Sequence, residues 1–357
     1  MEKVKDFRGR WFMIAACILL AGAAGLLWAA RKVPGFAEWY SKTVYPVLVT
    51  VVGGFFGLVP VSVVELFLYG GVALLIFLLI KYRRKPMVLL QSYGLIFSVL
   101  LFLYAACCGV NYYRVPFSSY YIQDILENPK ETKEQAADLR ALCAWLTEEV
   151  NKAHDELTAS EGNFENMQKK GIAAMERLAE RYPSLAGDYP QPKPVMVSEI
   201  LSVQQCSGVY SPFTIEANYN NDMVSYNIPH TICHEMSHLR GFMREDEANF
   251  IGYLACLQSE DADFRYSGYM LGWIYAGNAL AKVDYEEYAR LHGLLKEEIN
   301  VALAENTEFW DRYEGEVAEV QEKVNDAYLK ANGQAEGVLT YGRVVDLMLI
   351  DFALNRT

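Results

Sequence analysis

Residues 228–242, Ile-Pro-His-Thr-Ile-Cys-His-Glu-Met-Ser-His-Leu-Arg-Gly-Phe, contain the pattern HExxH, with His234, Glu235 and His238 as its fixed members. On a helix, side chains four residues apart lie within about 40° of one another around the axis, so both imidazoles leave one face. That is how a tetrahedral Zn²⁺ takes its first two ligands. Glu235, directly after the first imidazole, can reach the water held on the ion as a general base. With five His in 357 residues, chance produces the pattern on the order of 0.005 times in a chain of this composition. Pro229 suits the first turn of such a helix, and Gly241 stands where the chain turns out of it.

The next stretch, Arg244-Glu-Asp-Glu-Ala-Asn-Phe250, reads as the start of a second helix. A catalytic zinc site needs a third protein ligand and an open fourth position. Glu245 is the expected third ligand and Glu247 the alternative. Asn249, one turn further on, can hydrogen-bond a ligating His and fix its orientation. The same acidic run would suit an ordinary helix N-terminus, where carboxylates favour the dipole; beside HExxH the ligand reading is preferred. His230 is read as structural, and His154 and His292 as solvated members of charged helices. Attack on a carbonyl also needs a donor for the developing oxyanion. Tyr341 and Arg343, near the C-terminus, are candidates by residue type.

Upstream, residues 195–220 hold the expected strands, being rich in Val, Ile, Tyr and Thr. Within them, 208–219 could offer an edge to an extended peptide, or simply turn at Ser211-Pro212. Apolar spacing predicts helices over 131–157, 164–182, 228–242, 245–259, 261–282, 284–305 and 307–332. The last carries a stripe of Trp310, Tyr313, Val317, Val320, Val324 and Ala327. Residues 184–194 read as a loop and 111–130 as a linker, so the soluble part, 131–357, is mainly α with a small β-sheet (α+β).

The first third of the chain is different. Residues 11–30, 62–80 and 87–110 are apolar runs of the length a helix needs to cross a bilayer. The first exceeds the core of a cleavable signal, and further runs follow it. Residues 45–60 are also apolar, but Pro46, Gly53, Gly54, Gly57 and Pro60 disfavour a regular helix there, so an interfacial or re-entrant segment is expected. Glu65 is expected at headgroup level. Lys3, Lys5, Arg8 and Arg10 precede the first run, and Lys81, Arg83, Arg84 and Lys85 separate the second from the third. The positive-inside rule then puts the N-terminus in the cytoplasm and the C-terminal domain outside, with Arg31, Lys32 and Lys42 as counter-signal. Residues 1–110 carry 11 Lys/Arg against 4 Asp/Glu, and the remainder 21 against 40. So acidic a domain excludes nucleic acid as a partner, and 52% hydrophobic residues exclude disorder. The cysteines, at no disulfide-framework spacing, read as small buried apolar residues.

HExxH followed by Glu-x-x-x-Asn resembles the gluzincin class of zinc metallopeptidases. That likeness implies Glu245 as third ligand and Asn249 as orienter of a histidine. The gap from His238 to Glu245 is short for the class, and Asn stands where Asp is more usual, so Glu247 stays open as the ligand. The whole layout is similar to the bacterial membrane proteins called domain of unknown function 3810. It shares three N-terminal spans, Gly208-Val-Tyr-Ser-Pro-Phe-Thr-Ile-Glu-Ala-Asn218, HExxHxxGF, REDEANFIGYLAC over 244–256, and Thr340-Tyr-Gly-Arg-Val-Val-Asp346.

The expectation is a membrane-anchored, zincin-like metallopeptidase with Zn²⁺ on His234, His238 and Glu245, acting on a peptide or protein substrate. The alternatives are a non-catalytic zinc-binding receptor or sensor, and a scaffold without metal. An intramembrane protease is disfavoured, because Asn220, Asn221, Asp222, Arg240 and Arg244 flank the HExxH helix.

Overall fold

A computed structural model of the chain describes residues 2–121, 132–160, 162, 164–334 and 343–355. Most of these residues are helical. Three helices are long and apolar enough to cross a membrane: Trp11–Lys32, Val63–Tyr82 and Pro86–Tyr113. Apolar side chains on every face suit a lipid surround rather than a two-sided packing role. Ser62 caps the second by accepting from the Glu65 amide at 3.3 Å. Pro86 opens the third at a position where no amide donor is needed, directly after the basic turn Arg83-Arg84-Lys85.

Residues 45–57 are helical but do not form a regular α-helix: Tyr45–Leu48, a π-turn over Val49–Gly53, then Gly54–Gly57. Gly53 closes the π-turn, and packing on one face outweighs the low propensity of the glycines. Tyr45, Val49 and Gly53 are buried, and a Cβ on Gly53 would stand 2.9 Å from Pro190 and 3.0 Å from the Ile215 carbonyl. Val47, Val51, Phe55 and Leu58 face outward and are exposed.

The C-terminal part packs the helices Thr132–Ala159, Met167–Arg181, Asn227–Leu239, Glu245–Leu257 and Ala262–Val283 around one core. The expected helix over 284–305 is two, Tyr285–His292 and Glu297–Asp311, broken at Gly293. The next helix begins only at Glu316 and ends at Ala331. Its Val317, Val320 and Val324 are exposed, so that stripe is not a core face.

The sheet has three short strands, β1 (Lys193–Pro194), β2 (Gly208–Ser211) and β3 (Glu216–Tyr219), in the order β1-β3-β2. Strand β1 starts inside the proline-rich stretch read as a loop, whereas Glu199–Ser202, read as strand, is a helical turn. β3 pairs in parallel with β1 and antiparallel with β2, with Gly208 opposite Tyr219 and Ser211 opposite Glu216. Glu216, buried at the start of β3, accepts from Lys193 Nζ and from the Val63 and Val64 amides at 3.3 and 2.9 Å. A carboxylate of the sheet thus satisfies the first turn of the second apolar helix. Glu65 returns the contact, accepting from the Met196 and Val197 amides at 2.7 and 3.0 Å. Residues 111–121 also join the core: Phe117 is buried, and the Arg114 guanidinium lies 3.8 Å over the Phe242 ring.

Candidate metal centre

The HExxH residues lie on Asn227–Leu239, a helix buried along nearly its whole length. Pro229 occupies its first turn, and Gly241 leaves it at φ +81°, where a side chain would be strained. The reversal brings Glu245–Leu257 back against it. Close approach is possible because Gly252 faces the backbone there, its ideal Cβ only 3.1 Å from the His230 carbonyl.

His234, His238 and Glu245 converge, each offering one ligand atom and all three atoms lying within 4.8 Å of one another. His234 Nε2 is 3.3 Å from one Glu245 oxygen, and His238 Nε2 is 3.9 Å from the other. Ligands at about 2.0–2.2 Å around a tetrahedral ion stand roughly 3.3–3.6 Å apart, so the set fits Zn²⁺ with small adjustments. The opposite ring nitrogens are occupied. His234 Nδ1 meets Asn249 Oδ1 at 2.8 Å, and His238 Nδ1 meets the Phe242 carbonyl at 2.7 Å. With Nδ1 as donor, each Nε2 is directed toward the carboxylate. Tyr275 donates to the same Asn249 oxygen at 3.3 Å.

Burial works against charge on His234, but Glu245 outweighs it and holds the imidazole up to about 9. His238 is pushed by burial down to about 4. Glu245 stays below the usual carboxylate range: burial opposes its charge, but the His234 contact prevails. A proton on His234 therefore sits where a cation would sit. Glu235 is buried beside them, pushed up to about 8 by desolvation, with one carboxylate oxygen lacking any hydrogen-bond partner. A base near neutrality with a free acceptor is suited to taking and returning a proton.

Other sequence candidates lie elsewhere. Glu247 is buried on the far side of its helix, where it accepts from Ser118 Oγ at 3.3 Å and takes no part in the cluster. His230 donates to the Asn249 carbonyl at 3.1 Å and ties the two helices together. Arg343 is exposed at the start of Arg343–Asn355 and is not in the lining of the cleft. Tyr341 lies outside the described residues.

The cluster opens into a cleft of about 980 Å³. One wall is β2, an edge strand among the described residues; a Cβ on Gly208 would meet Glu235 Oε1 at 2.5 Å, so a side chain there would displace Glu235. The helix Glu316–Ala331 also lines it, contributing Glu319, Glu322 and Tyr328. Cys108 and Tyr112, from the end of the third apolar helix, complete the lining. Tyr112 donates to the Tyr328 hydroxyl at 3.2 Å, and Cys108 Sγ is 3.4 Å from it. Sequence reasoning missed these residues: nothing in an apolar run marks which of its side chains will border a distant site.

A family model described as protein of unknown function (DUF3810) matches residues 40–349, and the chain belongs to that family. No curated protein and no solved structure matches it.

Proposed function

We propose that this member of the DUF3810 family is a membrane-anchored, zincin-like metallopeptidase, with His234, His238 and Glu245 holding Zn²⁺. The convergence of those three side chains, with both histidines oriented from behind, is the observation that carries the reading. Zn²⁺ in such a set would acidify water and polarise a carbonyl. Glu235 takes a proton from the attacking water and delivers it to the leaving amine, the two transfers a buried carboxylate of raised pKa performs well. Tyr328 is the hydroxyl donor in the cleft for the developing oxyanion, its own oxygen accepting from Tyr112. β2 offers backbone pairing to an extended peptide alongside Glu235.

The domain sits at the ends of the apolar helices opposite the turn Arg83-Arg84-Lys85, which supports an extracytoplasmic domain and a cytoplasmic N-terminus. Two of the three basic residues on the domain side are engaged: Arg31 donates to the Tyr113 hydroxyl at 2.7 Å, and Lys42 pairs with Glu38 at 2.7 Å.

Substituting Glu235→Gln tests the reading. A peptidase keeps its zinc and loses at least 100-fold in turnover; a zinc-binding receptor keeps both metal and signalling, and turns over nothing before or after the change.

A further inference from the structure

The three apolar helices set a height scale. Pro86 to Cys107 rises about 32 Å and Val63 to Tyr82 about 29 Å at ~1.5 Å per residue, each close to the ~30 Å of a bilayer's hydrocarbon. Counted from the basic turn, both therefore leave the hydrocarbon near Val63 and Cys107. The metal cluster is tied to that level from several sides. Tyr210 of β2 donates to the Cys107 carbonyl at 3.0 Å, and its ring centre lies 5.9 Å from that of His238. Cys108 and Tyr112, within about 8 Å of Cys107 along the same helix, line the cleft that holds His234, His238 and Glu245.

The direction of β2 completes the geometry. Its Ser211 end pairs with Glu216, whose carboxylate binds the amides of Val63 and Val64, so this end lies at the hydrocarbon boundary. Its Gly208 end abuts Glu235. Three residue steps at ~3.3 Å separate the two ends by about 10 Å. A strand laid along β2 would run from beside Glu235 toward the level of Val63, where the second apolar helix begins. Two groups of exposed apolar residues lie around the same level, while others, such as Val283, Leu294 and Val317, are scattered over the C-terminal part. Val47, Val51, Phe55 and Leu58 form the outward face of residues 45–58, and Met196 and Val197 flank the first turn of Val63–Tyr82.

We infer that the substrate is a polypeptide with its own membrane anchor, cut about three to six residues from where it leaves the bilayer. This rests on the hydrolase reading and narrows it: the cleft takes juxtamembrane chain rather than free peptide. Such a segment reaches Glu235 along β2 without crossing open water. A soluble peptide has the same pairing available but lacks the local concentration and orientation that the shared bilayer supplies.

The test uses the full chain with Zn²⁺ in vesicles of phosphatidylethanolamine and phosphatidylglycerol. One unstructured reporter of mixed sequence is presented in three ways: directly after a single transmembrane helix in the same vesicle, after that helix plus a twenty-residue proline-rich spacer, and as a free peptide. Expected is at least tenfold faster cleavage of the direct fusion, with cuts mapped by mass spectrometry to its first six residues. Equal rates for the free or spaced reporter, or cuts spread evenly along it, overturn this inference and leave the hydrolase standing. No cleavage in any format, with zinc bound, overturns both. A photo-crosslinker at Val209 in a Glu235→Gln background gives a readout independent of turnover: it should capture the direct fusion in preference to the spaced one, and equal capture counts against the inference.

Discussion

Tyr45 donates its hydroxyl proton to the backbone carbonyl of His238 across 3.0 Å, joining the short helix beside the apolar spans to the HExxH helix. Tyr210 sits 2.9 Å from the same hydroxyl and also reaches the Cys107 carbonyl at 3.0 Å, so two hydroxyl protons serve three contacts. All of these atoms are buried. A buried pair of this kind stabilises by about 1–2 kcal/mol, and losing one partner exposes the desolvation cost of the other. Tyr45→Phe should lower the apparent Tm of the full chain in detergent by roughly 2–6 °C and weaken zinc binding several-fold. An unchanged Tm together with unchanged affinity would show that the short helix does not support the site.

Removing a ligand and removing its orienting partner should be separable. Glu245→Gln should weaken Zn²⁺ by more than about 100-fold, and Asn249→Ala by about 10–100-fold. Glu247→Gln should leave the affinity within about threefold, because that carboxylate points to Ser118 rather than to the imidazoles. Competition with a chromophoric chelator measures all three. A Glu247 variant losing metal as severely as a Glu245 variant would reassign the third ligand.

Glu247 makes a separate prediction about pH. Burial, reinforced by Asp246, pushes its carboxyl up to about 7. The folded state then holds a proton that the unfolded chain releases near pH 4.3, so its contribution favours folding below that pH and is lost as pH rises through 7. Glu247→Gln should flatten this part of the stability profile, raising the apparent Tm at pH 8 by roughly 2–4 °C relative to the parent while changing it little at pH 4. Parallel profiles for parent and variant between pH 4 and 8 would contradict it.

Gly208 faces Glu235 so closely that a methyl group must displace it: an added Cβ falls 2.5 Å from Glu235 Oε1 and 2.8 Å from Thr231. Misplacing a catalytic group by about 1 Å costs on the order of 100-fold in rate. Gly208→Ala should therefore retain zinc with near-parent affinity and lose roughly that factor in kcat. Full activity in this variant would mean that Glu235 is not positioned against β2 during turnover.

Much of the cluster was legible because its chemistry is local. His234, Glu235, His238, Glu245 and Asn249 fall within sixteen residues on two adjacent helices, where the 3.6-residue repeat, a first-turn proline and Gly241 fix the directions of the side chains. The apolar helices were legible for the same reason, length and composition being local properties. What the sequence hid is tertiary. Tyr45, Cys108, Tyr112 and Tyr328 approach the site from segments that are far apart in the chain, and the packing that turned 45–57 into a helix is supplied by Pro190 and Ile215. The valine stripe of Glu316–Ala331 misled for a related reason: helical periodicity reports an apolar face but not what covers it.

The most direct test of the proposed metal centre is X-ray absorption at the zinc edge on the full chain loaded with one equivalent of Zn²⁺. The expected first shell is two imidazoles, one carboxylate and one oxygen that no side chain supplies, at about 2.0–2.2 Å. A shell containing sulfur at about 2.3 Å, from Cys108 or Cys206 in the same cleft, or a protein that retains no zinc, would contradict the account.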